Sequence, residues 1–324
     1  GLINLDASRR MGRTFEVEYP DPDVQGFNPC AEQSLANFET FCLAEIYLPN
    51  IESYDELLKV ARYLYRINKH SLAIKCAIKE TEDIVHKNMR MGIGVTGYLQ
   101  ATEEQRSWLD GCYNYIRNYD KEYSRLAGFP ASIKLTTVKP SGTLSLLAGV
   151  TPGAHPGYSE YYIRRIRMSA DSSLAHAARK HGYPVEYVLN FDGTEDKSTI
   201  VVSFPCKFPK GTTFAQDMTA IDQLEVIKRL QAEWSDNAVS VTIYYRKEEL
   251  DAIKEWLALN YKQVKSVSFL LHNEHGFKQA PLEEIDEGTY LEMRKGVTPI
   301  TSLEQIDMDE VEIMDCDTGA CPVR

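Results

Sequence analysis

Strand-length runs of β-branched and apolar residues alternate with amphipathic segments in the second half of this chain. The runs of strand length are Thr199–Phe204, Ala238–Ile243 and Ser266–Leu271. Apolar residues recur at helical spacing in Thr219–Trp234 and Lys247–Leu259, which lie between them. Because strands that alternate with helices form largely parallel sheets covered by helices, the pattern predicts an α/β fold.

The first half of the chain continues this pattern and adds helix-start signals. Ser53 and Thr102 are followed three residues later by Glu56 and Gln105, which is the spacing of a capping box. Gly128 would end the second of these helices. Three further elements follow from the residue pattern: a strand at Leu43–Leu48, a strand at Ile133–Val138 and a helical stretch at Leu174–Lys180.

The composition argues against several classes of protein. A net charge of −11 over 324 residues argues against broad binding to nucleic acid or to an anionic membrane. No apolar run approaches the length of a membrane span. Seven cysteines without a Cys-x2-Cys pair fit a reducing cytoplasm and argue against a structural zinc site. We therefore expect a cytoplasmic protein without a bound metal.

Reactive side chains occur together in one short segment, Asn28 to Leu35, which reads Asn-Pro-Cys-Ala-Glu-Gln-Ser-Leu. Its proline and its mixture of small and polar residues are typical of a loop. An amide, a thiol and a carboxylate at alternate positions (Asn28, Cys30 and Glu32) can point into one pocket. By itself this pattern also fits a capped turn with a buried cysteine.

Further cysteines follow this loop and lie near the end of the chain. Cys42 comes twelve residues after Cys30, and Cys316 and Cys321 lie in a polar end segment. Thiols at both ends of the chain indicate a redox enzyme.

These cysteine motifs resemble those of the catalytic subunit of ribonucleotide reductase. Five further stretches agree with this family, and most closely with its adenosylcobalamin-dependent (class II) branch. They are Lys139–Ser145, Gly149–Pro156, Asp236–Thr242, Ser266–Leu270 and His275–Pro281.

The resemblance implies a barrel of about ten strands, built from two half-barrels, with a finger loop through its centre. This α/β chain would supply one half and the finger loop. Residues 1–285 would then be the C-terminal half of the catalytic barrel, and 286–324 a linker and flexible redox tail. We expect the chain to need an N-terminal half or a second subunit.

The resemblance also implies an activity, the reduction of ribonucleoside di- or triphosphates to deoxyribonucleotides by a thiyl radical. Cys30 would carry the radical, and Glu32 would be the general base for the 3′ hydroxyl. Asn28 would hold a substrate hydroxyl or orient Glu32. Cys42 would be one of two reducing thiols, with its partner in the missing half. Adenosylcobalamin would be the cofactor.

Two more sites follow from the same resemblance. Cys316 and Cys321 would exchange with the active-site disulfide and then with a thioredoxin-like reductant. The substrate phosphates would bind at a helix start whose backbone N–H groups and hydroxyls attract anions. The residues of this phosphate site are Pro140, Ser141, Gly142, Thr143 and Ser145.

Three alternatives remain open. The first is a class I reductase with a separate metal subunit, which needs a tyrosine relay; Tyr244-Tyr245 follows a different strand from the expected one. The second is a noncatalytic partner fragment of a split reductase that keeps the fold but lacks half of the site. The third is an unrelated thiol oxidoreductase, against which the absence of Cys-x2-Cys counts.

Two other patterns are interpreted as structural. Gly92-x-Gly94-x-x-Gly97 matches a dinucleotide fingerprint, but no clear strand precedes it and no acid follows about twenty residues later. We interpret it as a barrel strand that needs close packing. A group of possible metal ligands is interpreted as surface or loop residues: His155, His272, Glu274 and His275.

Overall fold

In the computed structural model, the described residues are 1–14, 16, 19–190, 192–272 and 279–301. They form two compact units. Unit 1 comprises Gly1–Pro156 and Gly211–Asn273, and unit 2 comprises Gly157–Lys210 and Glu274–Arg324. The predicted boundary between 285 and 286 stays a prediction; the chain just beyond it forms a helix.

The strands are β1 Leu2–Ile3, β2 Gly26–Phe27, β3 Ser34–Leu35, β4 Cys42–Tyr47, β5 Met91–Thr96, β6 Thr136–Thr137, β7 Tyr161–Ser169, β8 Val185–Leu189, β9 Glu195–Lys207, β10 Thr242–Tyr245, β11 Ser266–Leu271 and β12 Leu282–Glu284. The helices are α1 Leu5–Arg10, α2 Tyr54–Ser71, α3 Lys79–Asn88, α4 Glu103–Ala127, α5 Leu144–Ala148, α6 Ser173–Lys180, α7 Ala220–Glu233, α8 Leu250–Asn260 and α9 Glu287–Lys295. Short 3-10 turns occur at Leu48–Asn50, Ala215–Asp217, Lys247–Glu249 and Tyr261–Gln263.

Unit 1 is built on a parallel sheet. Strands β4, β5 and β6 pair in parallel, as do β10 and β11, and β1 adds an antiparallel edge to β11. A parallel bridge between Val138 and Val239 joins β6 to the segment that leads into β10. The resulting order is β4-β5-β6-β10-β11-β1. Helices connect these parallel strands, so the predicted α/β fold is confirmed, with a sheet of the kind found in a half-barrel.

One face of this sheet packs against the helices. Side chains alternate between the faces of a strand, so Ile46, Ile93 and Val95 share the helix side. They belong to one buried apolar cluster with residues of α2, α4, α7 and α8, such as Leu57 and Ile116. Burial of this kind supplies most of the free energy that holds the unit together.

Capping chemistry fixes the helix starts in unit 1. Thr102 and Gln105 form the predicted reciprocal capping box, and Gly128 ends α4 with a φ of +75°. The Ser53 hydroxyl accepts the N–H of Glu56 as predicted, whereas the Glu56 carboxylate bonds the N–H of Glu52. The capping box predicted at Ser53 and Glu56 is therefore only half formed.

Three strand predictions need correction. Of the predicted strand Ala238–Ile243, only Thr242 and Ile243 belong to β10, and Val239 forms a single bridge to Val138. At Ile133–Val138 only Thr136–Thr137 is strand, because the Asp236 carboxylate takes the N–H groups of Leu135 and Thr136. Thr199–Phe204 is a strand, but it belongs to β9 of unit 2, where β12, β7, β9 and β8 form an antiparallel sheet. Local residue pattern does not distinguish these two kinds of sheet.

Unit 2 has its own small core. Helix α6 covers the antiparallel sheet with Ala175 and Ala178, which pack against Ile200 and Val202 of β9. The predicted helical stretch Leu174–Lys180 is thus confirmed within α6.

Candidate active site

The segment that carries Cys30 is a tight hairpin loop between β2 and β3. The N–H of Asn28 donates to the carbonyl of Gln33 at 3.1 Å, and the Asn28 side chain accepts the N–H of Gln33 at 3.0 Å. Ala31 has a φ of +60°, an unfavourable conformation for a residue with a Cβ. The predicted loop is confirmed, and its strained tip separates Cys30 from Glu32.

This loop lies on the face of the sheet opposite the helices. The Glu32 carbonyl accepts hydrogen bonds from the Ala238 N–H at 3.0 Å and from the Thr137 hydroxyl at 2.9 Å. The Ser240 hydroxyl donates to the Cys30 carbonyl at 2.5 Å. Backbone bonds on both sides of Ala31 therefore fix the loop tip to the sheet.

The glycine pattern in β5 is explained by the same contact. A Cβ on Gly92 would come within 2.0 Å of the Gln33 amide nitrogen, so only glycine lets the loop approach. Gly92 and Gly94 lie within a buried strand and do not open a helix. The interpretation of this motif as a closely packed strand is confirmed.

Glu32 is a buried carboxylate with unused hydrogen-bonding capacity. It is 3% exposed, and its Oε2 has no hydrogen-bond partner in the described part of the chain. Burial raises its pKa, while a hydrogen bond from the Asn28 side chain and the charge of Lys139 act in the opposite direction. A raised pKa makes this carboxylate a stronger base than an exposed glutamate.

The cysteines occupy different environments. Cys30 is partly exposed at the loop tip. Cys42 begins β4 and packs against the apolar core, and burial raises the pKa of its thiol. Because side chains alternate along β4, Cys42 lies on the helix side with Ile46, whereas its neighbour Leu43 pairs with Gly92 on the loop side. Cys316 and Cys321 lie outside the described residues.

The predicted phosphate site is a helix start, as expected. Helix α5 begins directly after Thr143, which is exposed. The Ser145 hydroxyl is buried and donates to the Ser141 carbonyl at 2.5 Å, a bond internal to the turn. The Ser141 hydroxyl is also buried and has no partner among the described residues. Pro140, Gly142 and the rest of this set stay predictions as phosphate ligands.

Two residues with a place in the site were not singled out from the sequence. The Lys139 ammonium lies 3.6 Å from Glu45, whose side chain is 3% exposed. Glu45 accepts a hydrogen bond from the Thr96 hydroxyl with one oxygen, and its Oε2 lacks a partner within the described ranges. The sequence signal that could have identified Glu45 is an acidic residue inside the apolar run Leu43–Leu48.

The histidine interpretation needs one correction. His155 lies in a loop but is buried, not on the surface. Its Nε2 accepts the N–H of Thr242 at 3.0 Å, and burial lowers its pKa to about 4. It is a structural acceptor. Glu274 and His275 lie outside the described residues.

Two kinds of feature are absent from the described residues. They contain no group of three or more His, Cys, Asp or Glu side chains that could hold a metal ion. None of the helices described is both long and apolar enough to cross a membrane.

Sequence comparisons relate the chain to one kind of reductase. A probable adenosylcobalamin-dependent ribonucleoside-triphosphate reductase of Dictyostelium discoideum is 34% identical over 338 residues, which cover 99% of this chain and 43% of that protein. The adenosylcobalamin-dependent ribonucleoside-triphosphate reductase of Lacticaseibacillus paracasei is 32% identical, with 100% of this chain and 49% of that protein covered. The corresponding enzyme of Euglena gracilis is 34% identical, with coverages of 99% and 45%. No protein-family model matches the chain.

Structural comparisons agree. The crystal structure of a B12-dependent (class II) ribonucleotide reductase matches with a TM-score of 0.76 and 30% identity, covering 93% of this chain and 46% of that chain. The class Id alpha subunit from Actinobacillus ureae matches with a TM-score of 0.55 at 13% identity, a likeness of fold alone. The chain spans about half the length of the curated relatives it matches. It is a homologue of the adenosylcobalamin-dependent, class II ribonucleotide reductases.

Proposed function

We propose that this chain carries the radical loop of an enzyme that reduces ribonucleotides to 2′-deoxyribonucleotides. The observation that supports this most directly is the buried Glu32 carboxylate, held two residues from Cys30 on a strained loop that is bonded to the sheet. A protected base beside a thiol is the arrangement that ribose activation needs.

Each loop residue then has a defined step. The Cys30 sulfur, as a thiyl radical, takes the 3′ hydrogen atom of the ribose and later returns it. Glu32 accepts the 3′ hydroxyl proton and later returns it, while the 2′ hydroxyl leaves as water with a proton from one of the two reducing thiols. Two thiols supply two electrons and end as a disulfide; Cys42 is our candidate for one of them. The Asn28 amide orients Glu32 through the hydrogen bond that also lowers the pKa of the acid.

The substrate class follows from the names of the relatives, which are ribonucleoside-triphosphate reductases. We propose a ribonucleoside triphosphate, with a diphosphate as the other substrate to test. Its phosphates would bind at the turn Pro140–Thr143 and at Ser145. The buried, unpartnered hydroxyl of Ser141 supports a polar ligand at this turn.

We propose adenosylcobalamin as the cofactor because the names of the same relatives state this dependence. The residues present fit such a cofactor in one respect, because Cys30 is partly exposed at the loop tip and is not enclosed in the core. When bound, the cofactor would supply the radical that Cys30 carries. We assign no described side chain to its binding, which would use apolar and backbone surface.

The remaining parts of the enzyme are also proposals. The five parallel strands would form half of a ten-stranded barrel, in which the Asn28–Leu35 hairpin is the finger loop. An N-terminal half or second subunit would complete the barrel and supply the second reducing thiol. Cys316 and Cys321 would pass electrons from a thioredoxin-like protein, in the cytoplasm.

The test is a pair of substitutions in the full-length protein that contains this chain. With adenosylcobalamin and a thiol reductant, Cys30→Ser should abolish deoxyribonucleotide formation in a single turnover. Glu32→Gln should reduce kcat by about 10²-fold or more, because the general base is lost. A Cys112→Ser variant is the control, since this thiol is buried in the apolar core. Product formation at the wild-type yield by Cys30→Ser would refute the proposed function.

A further inference from the structure

Four buried charged side chains surround the two ends of the hairpin that carries Cys30. Asp21 precedes β2 and Glu39 follows β3, so they bracket the loop in sequence. Arg90 precedes β5, and Lys134 lies just before β6. The side chains of all four are at most a few per cent exposed. We call these four residues the loop clamp.

Ion pairs connect the members of the loop clamp. Arg90 donates to both carboxylate oxygens of Asp21, at 2.7 and 3.0 Å, and its Nε lies 3.0 Å from a Glu39 oxygen. The Lys134 ammonium lies 2.8 Å from Asp21. Two cations therefore balance two anions, as buried charges require. Burial alone would raise the pKa of Asp21, but its bond from Arg90 and the charge of Lys134 leave this pKa lowered.

The loop clamp also holds the backbone and the hydroxyl groups next to the loop. Glu39 accepts the N–H of Ala36 at 2.7 Å. Lys134 donates to the Ser34 hydroxyl in β3 and to the Ser8 carbonyl in α1, each at 2.8 Å. The segment before the loop and the segment after it are thus both fastened to the sheet strands β5 and β6.

We propose that Asp21, Glu39, Arg90 and Lys134 are positioning residues that hold the Cys30 loop in register on the sheet. The bonds of the loop tip to Thr137, Ala238 and Ser240 form only if the two ends of the loop are correctly placed. The clamp acts through Cys30 and Glu32 and does not touch substrate. Its catalytic importance rests on the proposed function, whereas its control of the loop does not.

The chain contains a matched control for this idea. Lys69 is equally buried and pairs with buried Asp120 at 3.0 Å. Like Lys134, it also donates to a serine hydroxyl, Ser132 at 2.9 Å, and to a backbone carbonyl, Pro130 at 2.7 Å. This pair joins α2 to α4 and contacts neither end of the loop. Lys69→Met and Lys134→Met therefore remove the same set of interactions at two places.

The experiment measures the accessibility of Cys30 in the two variants. Each folded protein is treated with iodoacetamide, and alkylation of Cys30 is followed by peptide mass spectrometry relative to the partly exposed Cys76, in the turn after α2. Lys134→Met should accelerate alkylation of Cys30 by about tenfold or more, because local opening exposes the loop. Lys69→Met should leave the ratio within about twofold. The proposal would be overturned if the alkylation rate of Cys30 relative to Cys76 were the same in the two variants.

A charge-balanced variant covers the case in which Lys134→Met does not fold. Asp21→Asn combined with Lys134→Met removes one anion and one cation and leaves the Arg90–Glu39 pair. It should retain the wild-type near-ultraviolet circular dichroism and accelerate Cys30 alkylation to a similar degree. A folded double variant with the wild-type alkylation rate would contradict a positioning role.

Activity of the full-length protein gives the second readout. The folded double variant should lower kcat by about tenfold or more while the KM for nucleotide changes little, since a displaced loop impairs chemistry and leaves the phosphate turn in place. If Cys30→Ser retains activity, the proposed function fails, but the alkylation result still decides whether the clamp controls the loop. Faster alkylation of Cys30 with unchanged kcat would refute a role of the loop clamp in catalysis.

Discussion

The two faces of the parallel sheet in unit 1 are made of different residues. On the helix side, Ile93 and Val95 of β5 are fully buried among apolar side chains. On the loop side, the same strand presents Gly92 and Gly94, beneath a loop that carries Glu32. Glu45 and Lys139 also occupy this side, and two of its carboxylate oxygens have no partner among the described residues.

The contrast shows how one strand can serve two purposes. The helix side is packed with buried apolar side chains, so it stabilises the fold. The loop side contains glycines and carboxylate oxygens without hydrogen-bond partners, which do not stabilise the fold in the absence of a ligand. Such residues are expected where chemistry takes place. Substitutions on the two faces should therefore affect different measurements.

The largest expected effect is on stability and comes from the helix side. Ile93→Ala removes a fully buried side chain and leaves a cavity, which should lower the free energy of unfolding by about 2–5 kcal/mol. Chemical denaturation followed by circular dichroism measures this. Gly94→Ala, the next residue on the opposite face, is the control. Its new Cβ would meet the nearest atom, the Ala44 carbonyl oxygen, at 3.4 Å, so it should cost less than about 1 kcal/mol.

Equal destabilisation by the two substitutions would remove the distinction between the faces. It would also mean that burial in the apolar cluster does not account for the cost of Ile93→Ala.

The second effect is on activity and comes from the loop side. Gly92→Ala places a Cβ 2.0 Å from the Gln33 amide and 2.7 Å from Leu43 and Thr137. Relief of this overlap should displace the loop and cost about 1–3 kcal/mol of stability. Deoxyribonucleotide formation by the full-length protein should fall by at least about tenfold, because a small misplacement of the reacting groups is costly. Gly94→Ala serves again as the control, and equal activity of the two variants would contradict the loop's role.

The sequence predicted what depends on local pattern. Strand β11 matches the prediction at both ends, since Ser266–Leu271 is rich in apolar and β-branched residues. The spacing of Asn28, Cys30 and Glu32 was sufficient to identify the loop. Unit 2 was missed because antiparallel pairing of β7 with β9 joins residues far apart in the chain. Pairing decides the type of sheet, and no local signal encodes it.

The loop clamp illustrates the same limit for a site. Asp21, Glu39, Arg90 and Lys134 are distant in sequence, and each looks like an ordinary surface charge there. Only the fold brings them together and removes them from water. Glu45 and Lys139 were missed for the same reason, because their position beside the loop depends on the register of β4, β5 and β6.

A smaller effect concerns the pH dependence of the reaction. The positive charge of Lys139 favours the ionised form of Glu32 and so lowers its pKa. Lys139→Met removes this charge, so the pKa of Glu32 should rise further. Because the base must be deprotonated, the acid limb of kcat/KM should move to higher pH. Lys139→Arg keeps the charge and should leave the limb in place; an unchanged limb in Lys139→Met as well would show that Lys139 does not act on Glu32.

The smallest effect should have the opposite sign and comes from Glu45. Its carboxylate lies 3.6 Å from the Lys139 ammonium and partly offsets that positive charge. In Glu45→Gln the offset is lost, so Lys139 should favour ionised Glu32 more strongly. The acid limb of kcat/KM should then move to lower pH, and by less than in Lys139→Met, since Glu45 acts only through its neighbour. Glu104→Gln, on the exposed side of α4, removes the same charge at a distance and is the control. Opposite shifts of the limb in the Lys139 and Glu45 variants would show that both side chains act on Glu32; a shift in the same direction would show that Glu45 does not act through Lys139.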